Sequence, residues 1–186
     1  MLGVNSTDVK HRFGTSLKLQ FMIYRQPLEA DFTGMQALDL ELLHLEHPNF
    51  MELAAKEREA RVRTTLPSLK FYARSEHSFA AIDDLSLEPT VVLGYVLAQS
   101  VWMGDKAIVY ISSLRVHPDA PSGTLAGLLH AVTKSAYDGA VYEIHLPSDK
   151  HLDSFAAREG YLDTGLKHLI RVLGSRNTTA TGEGDA

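Results

Sequence analysis

Three groups of residues have the types and spacing to do chemistry. Across Val141–Leu146, read as an extended segment, alternation puts Val141, Glu143 and His145 on one face and Tyr142, Ile144 and Leu146 on the other. Two ionisable groups on one face of a strand inside an α/β domain point to a cleft. There Glu143 orients His145 or takes its proton, or either group serves as base toward an amine. A wet edge strand explains the same pattern without chemistry. Ser113 and Arg115 form the corresponding polar face of the preceding apolar run, which sets Arg115 either against Glu143 as an ion pair or against a ligand. Glu76, His77 and Ser78 interrupt another run, as a bulge at a substrate site or as a plain turn.

A fourth stretch is a candidate for binding instead of reaction. In Leu114–Val132, Pro118 stops a strand, Pro121 suits a helix entry and Ser122 or Thr124 can cap the helix. Leu125, Leu128, Leu129 and Val132 give that helix a buried face, which Ala136 extends. Gly123, Ala126 and Gly127 leave its first turn without bulk, so its free N–H groups can meet an anion. A capped crossover corner and an anion site both fit. The stretch has neither the Gly-Lys-Ser/Thr of a Walker A loop nor a Gly-x-Gly-x-x-Gly fingerprint. It offers no Lys or Arg in the turn, so backbone amides would hold a phosphate. His44 and His47, beside Glu46, lie one helical turn apart with no third ligand placed with them, read as surface side chains, and predict no metal site.

The elements that must position these groups follow from periodicity. Ser16–Arg25 is a β-prone first strand, and Phe32, Met35, Leu38, Leu42 and Leu45 mark one face of a helix closed by Pro48. Asn49–Leu66 reads as a second, charge-laced helix ended by Pro67, with Ser68–Asp83 as an interrupted strand and Asp83–Pro89 as a hairpin-like connection. The almost uniformly apolar Val91–Ala98 predicts a central strand covered on both faces. A turn at Met103–Lys106, a central strand over Ala107–Val116, a helix from Ser122 to Tyr137 and a strand over Gly139–Leu146 come next. A short helix, a short strand near Tyr161 and a last strand complete the order β-α-α-β-β-β-α-β-α-β. That order predicts a mixed α/β domain over residues 16–173, between a loose leader (1–15) and a polar, glycine-containing disordered tail (174–186). A doubly wound nucleotide-binding fold would alternate more regularly.

Composition narrows the partners. A chain of 186 residues, 45% apolar, supports one core, and a net charge of -5 argues against a general nucleic-acid binder. With no cysteine there is no disulfide, thiolate nucleophile or iron–sulfur ligation. No apolar run approaches the roughly 18 residues of a membrane span, and the first residues lack a secretory core. A cytoplasmic monomer or homodimer with no membrane partner is expected.

The whole pattern resembles the GCN5-related N-acetyltransferases, the GNAT superfamily. There a strand ending in V-x-P leads to a loop patterned Gln/Arg-x-x-Gly-x-Gly/Ala, where "VHPDAPSGTLAGLL" stands here. Counted from Val116 and Pro118, the family's Gln/Arg falls on Pro121, its middle glycine on Thr124 and its last Gly/Ala on Ala126, with Gly123 and Gly127 one out of register. "SDKHLDSFAAREGY" matches the late family segment, with Asp149 for its Asn, Gly160 and Tyr161 for its Gly-Phe, and Ala156 where a thiolate-protonating tyrosine often stands. Residues 71–110 also look like a poorly characterised branch once catalogued as a domain of unknown function.

The resemblance implies a GNAT-like acyl-CoA N-acyltransferase fold, a mixed, mostly antiparallel sheet flanked by helices. It implies acetyl-CoA as co-substrate and acetyl transfer to a primary amine, of a small molecule or a protein, by direct attack. The backbone of Leu114, Arg115 and Val116 would pair with the pantetheine arm, and Ser122, Gly123, Thr124, Leu125, Ala126 and Gly127 would cradle the pyrophosphate. Glu76 is the family-style base by position, beside Glu143 and His145, and the second helix, with Glu57 and Arg61, would flank the acceptor. The departures at Pro121, Thr124 and Ala156 favour the alternative, a non-catalytic domain that binds CoA, another acyl ligand or a protein partner.

Overall fold

A computed structural model describes residues 22–83, 90–147, 158, 160 and 161. The chain forms two units, the first ending at Ile144. The described residues of the second are 145–147, 158, 160 and 161, among which Gly160 has φ +84°. Sequence expectations for the leader, the tail, residues 84–89, Asp149 and Ala156 lie outside the described residues.

The sheet has the order β1 (Met22–Arg25), β2 (Phe79–Asp83), β3 (Val92–Met103), β4 (Lys106–Val116), β5 (Ile144–His145). β1 through β4 pair antiparallel with their neighbours. After β4 the chain crosses back through a helix, the connection that parallel strands require. The result is the mixed, mostly antiparallel, helix-flanked sheet expected. On one side α1 (Phe32–Glu46) lays Phe32, Met35, Leu38 and Leu42 against Ala80, Ile82, Val92, Tyr95 and Leu97, joined by Leu69 of α3 (Leu66–Tyr72). On the other, α4 (Thr124–Asp138) buries Leu128, Leu129, Val132 and Ala136. Here Gly94 lets helix and sheet close up: a Cβ on it would stand 3.1 Å from Leu128.

A bulge decides which β4 side chains face which helix. Leu97 pairs with Ser113 but Ala98 pairs with Ile111, which leaves Ser112 as the extra residue on β4. The alternation therefore shifts at that point. Ser113 and Arg115 share the α1 face with Leu97 and Tyr95, while Val109 and Ile111 share the α4 face with Ser100 and Ala98.

The structure corrects four expectations. The single helix over Asn49–Leu66 is a 3-10 turn (Phe50–Glu52), a seven-residue α2 (Ala55–Arg61) and then α3. Pro67 opens α3 instead of ending a helix, because it sits in the first turn where its missing N–H costs nothing, next to the N-cap Thr65, whose hydroxyl accepts from Ser68 N–H. Accordingly Ser68–Tyr72 is helix, and Ser-Glu-His-Ser is a turn ahead of β2, closed by Ser78 N–H to the Ser75 carbonyl (3.3 Å). The N-cap of α4 is Gly123 at φ +101°, neither Ser122 nor Thr124. The strand over Gly139–Leu146 shrinks to Ile144–His145.

That shrinkage has a local cause. At the end of α4 the N–H of Ala140 donates to the Tyr137 carbonyl (3.0 Å) and that of Val141 to the Ala136 carbonyl (2.8 Å). This is the Schellman pattern, in which the residue past the cap is left-handed, and Ala140 takes φ 55°. Val141, the residue that follows, is buried. Residues 139–141 thus finish the helix, and alternation through Glu143 has no strand to act on. Ala140→Gly removes the Cβ strain at a cost in unfolded-chain entropy, so it should stabilise the protein by roughly 0.5–1 kcal/mol, about 1–4 °C in a thermal melt.

Candidate functional site

The turn before α4 is held from below. His117 N–H donates to the Leu93 carbonyl (2.8 Å), its Nδ1 accepts from Asp119 N–H (3.1 Å), and its Nε2 faces Glu41 Oε1 (3.1 Å). With Nδ1 an acceptor, Nε2 carries the hydrogen given to Glu41. The N–H and hydroxyl of Thr124 both donate to the Pro121 carbonyl (3.1 and 2.8 Å), and Gly127 N–H donates to the Gly123 carbonyl (2.8 Å). The amides of Ser122, Gly123, Leu125 and Ala126 have no acceptor among the described residues. The space beside Gly123 is open, with nothing within 4 Å of the place of a Cβ.

Gly127 has a different duty from Gly123. A Cβ on it would fall 2.2 Å from Cζ of Tyr24, so its bareness admits the β1 tyrosine ring. Burial raises the Tyr24 phenol above its ordinary value, while a hydrogen bond with Thr124 opposes the shift. β1 is thereby locked onto the first turn of α4.

β4 presents its backbone and its polar face at once. Among the described residues no strand lies against Leu114–Val116 on the side away from β3; β5 is two residues long, next to where Val109 N–H donates to the Glu143 carbonyl (2.8 Å). On the α1 face Arg115 pairs with Glu46 and stands 3.7 Å from Asp39, not with Glu143 across the sheet. Burial works against the Arg115 charge, but Glu46, with Tyr95 and Asp39, more than restores it, and its pKa is raised. Fully buried Asp39 accepts from Arg63 N–H (2.8 Å), Thr64 N–H (3.2 Å), Thr64 hydroxyl (3.1 Å) and Tyr95 hydroxyl (2.9 Å). Burial and the Asp39 charge push the Tyr95 phenol far up, so it remains a donor.

Beyond Glu46 lies an open cleft of about 310 Å³ lined by Glu46, His47, Pro48, Asn49, Leu53 and Arg61. Arg61 is held there by Glu57 (2.9 Å) and His47 Nε2 (3.2 Å). Of the two α2 residues that the resemblance set beside an acceptor, Arg61 lines this cleft and Glu57 only contacts Arg61. Asp39, Glu41 and Tyr95 were not singled out, although the helical spacing of Asp39 among Met35, Leu38, Leu42 and Leu43 placed it on the buried face. His44, Glu46 and His47 form no metal-binding group among the described residues.

The groups expected to move protons stand at the other end of β4 and α4. Glu143 pairs with Lys106, the first residue of β4, and that contact raises the lysine pKa. Glu76 is exposed, 3.5 Å from His77 Nε2 and near Gly139 at the end of α4. His77 is 1% exposed, with Nδ1 2.9 Å from Ser135 Oγ and Nε2 2.8 Å from Ser100 Oγ. The structure does not gather Glu76 and Glu143 with the α4 entry turn. His145 lies in the second unit.

A family described as "protein of unknown function (DUF1999)" matches residues 22–184. The crystal structure of TTHA1254 from Thermus thermophilus is 31% identical with a TM-score of 0.56, covering 83% of this chain and 99% of that one. The aminoglycoside N-acetyltransferase AAC(6')-Iy, solved with CoA, is 16% identical with a TM-score of 0.56 over 84% of this chain and 96% of that one. An acetyltransferase from Clostridium acetobutylicum, described as predicted and solved with acetyl-CoA, is 14% identical with a TM-score of 0.58 over 81% and 96%. No curated protein matches the sequence. Among the described residues no helix is long and apolar enough to cross a membrane.

Two measurements test the buried groups. Asp39→Ala strands four donors in the core and should cost about 3–5 kcal/mol by urea unfolding, against about 1 kcal/mol for Tyr95→Phe. Burial holds the His77 imidazole below its ordinary value, with Glu76 pulling the other way. The unfolded chain therefore gains its proton at higher pH than the folded one. The stability is intact above the usual histidine range, about 6.5, and falls as pH drops through it. In urea titrations from pH 8 to pH 5, His77→Gln should show a shallower decline than the parent protein.

Proposed function

The chain belongs to the DUF1999 family, whose fold is that of the GNAT superfamily, and from that premise we propose that it is an acetyl-CoA-dependent N-acetyltransferase acting on a primary amine. The observation that carries this reading is the turn before α4: four amides, of Ser122, Gly123, Leu125 and Ala126, lack an acceptor among the described residues at the positive end of a fifteen-residue helix. The open space at Gly123 gives a diphosphate room to approach. The residues therefore fit the cofactor despite lacking the family's basic residue and central glycine. Leu114, Arg115 and Val116 offer the backbone of a strand edge to an extended amide-bearing arm, with Thr124 and Gly127 fixing the turn's shape.

Bound acetyl-CoA supplies the acetyl thioester. For the acceptor, the cleft next to Glu46 supports an amine entering from the α1–α2 side. Glu46 is the carboxylate best placed to accept the amine proton, because it borders both the cleft and Arg115 of β4. Arg115, held by Asp39 from within the core, orients Glu46 and is a positioning residue. Glu76 and Glu143, at the far end of β4, are less suited to that proton transfer.

Calorimetric titration with acetyl-CoA and CoA tests the reading. Micromolar binding is expected, weakened at least about tenfold, ~1.4 kcal/mol, by Gly123→Asp. Gly123→Asn, which tolerates the same left-handed backbone and fills the same space without the charge, should bind more weakly than the parent and more tightly than Gly123→Asp. Absence of binding at millimolar cofactor overturns the proposal. In an amine-acceptor assay, Glu46→Gln should lower kcat and leave CoA affinity unchanged; binding with no turnover on any amine would favour the non-catalytic alternative.

A further inference from the structure

The polar cluster at the far end of α4 has a fixed direction of hydrogen bonding. Ser135 hydroxyl donates to the Val132 carbonyl (2.9 Å), so toward His77 its oxygen acts as an acceptor. His77 Nδ1 must then carry the ring hydrogen, which leaves Nε2 with its lone pair. Ser100 Oγ, 2.8 Å away, is the donor into that lone pair. The imidazole is buried, whereas Ser100 is exposed on β3 and exposed Glu76 stands 3.5 Å from the same Nε2.

We propose that Ser100 is an activated nucleophile, with His77 as its base and Ser135 as the positioning residue that fixes the ring's tautomer, and that it accepts acyl groups from small esters. The arrangement has the parts such chemistry needs: a hydroxyl donating to a neutral imidazole, and a third group holding the other ring nitrogen. Glu76 is the charged neighbour of the ring among the described residues, and it faces the N–H that forms when Nε2 takes the serine proton. Trp102, 74% exposed and two residues along the same strand face, supplies an apolar platform for the acyl or aryl part. As the acyl carbon–Oγ bond forms, the bond to the alkoxy group breaks, and the proton held on Nε2 passes to the departing alkoxide. Water then attacks the acyl-serine by the same route, freeing the carboxylic acid and restoring Ser100. This centre is distinct from the turn before α4, since the helix rises about 16 Å from Thr124 to Ser135.

The test is covalent labelling by a short-chain alkyl fluorophosphonate, read by intact mass and peptide mapping. Here the phosphorus–Oγ bond forms, fluoride leaves with its electron pair, and the serine proton goes to His77 and on to water. One adduct at Ser100 is expected in the folded protein and none in Ser100→Ala. The rate should rise with pH through an ionisation at or below the ordinary histidine value, and fall about a hundredfold in His77→Gln. Because that variant removes a buried ring, Ser135→Ala provides the second check: folded by circular dichroism, it should label at least tenfold more slowly. Failure to label Ser100 overturns the proposal, as does an equal rate in Ser135→Ala and in denatured protein. Hydrolysis of p-nitrophenyl acetate should follow the same order of variants, with or without CoA affinity.

Discussion

The carboxylate of Asp39 is the constraint on which the α1 side of the molecule depends. It is fully buried, so it must find acceptor work on every side, and its partners come from different segments. Thr64 and Arg63 amides bring in the chain between α2 and α3, Tyr95 brings in β3, and Arg115 brings in β4. An apolar residue at this position would have packed α1 on the sheet without specifying where the α2–α3 connection lies. The charge does specify it, and in doing so fixes one wall of the cleft next to Glu46.

The bulge at Ser112 gives that constraint its reach. Without the extra residue, alternation from Val109 and Ile111 would carry Ser113 and Arg115 to the α4 face, into the apolar packing of Leu128 and Val132. With it, β4 presents apolar side chains to α4 along its whole length and still delivers a guanidinium to α1. The same switch separates two polar networks. Asp39, Tyr95, Arg115 and Glu46 lie on one side of the sheet, while His77, Ser100 and Ser135 lie on the other.

Much of this architecture was legible in the sequence because hydrophobic period and burial agree there. The apolar run of β3, the faces of α1 and α4, and the turn at Gly104 follow from local pattern alone. The second helix was misread because charge alternation in Lys56–Arg63 continues past the point where packing stops, and because Pro67 has the same look at the end of a helix as in its first turn. The segment after α4 was misread because Ala140 adopts a conformation that its residue type disfavours; a glycine there would have announced the helix end. The long-range polar networks were hidden for another reason. Asp39 to Tyr95, or His77 to Ser135, are bonds across the sheet or between its faces and helices, and no spacing rule joins residues so far apart in the chain. The site candidates Glu143 and His145 rested on an alternation that needs a longer strand than the chain forms.

The two glycines of the α4 entry show why counting a motif misjudges this turn. Gly127 matched no family position, and its role is to admit Tyr24, a packing task. Gly123 also stood out of register, but there the backbone is left-handed and the space above it open. The capacity to hold an anion depends on where amides point and what already occupies them, and four amides lack an acceptor among the described residues. The opposite end of α4 is closed by the Schellman bonds of Ala140 and Val141, which satisfy the carbonyls of Tyr137 and Ala136 within the chain. A helix whose carboxyl end is capped in this way, and whose first amides have no acceptor among the described residues, keeps the positive end of its dipole where an anion can meet it. Chain topology supplies the rest, since the end of β4, against which no strand among the described residues lies on the side away from β3, runs directly into that turn.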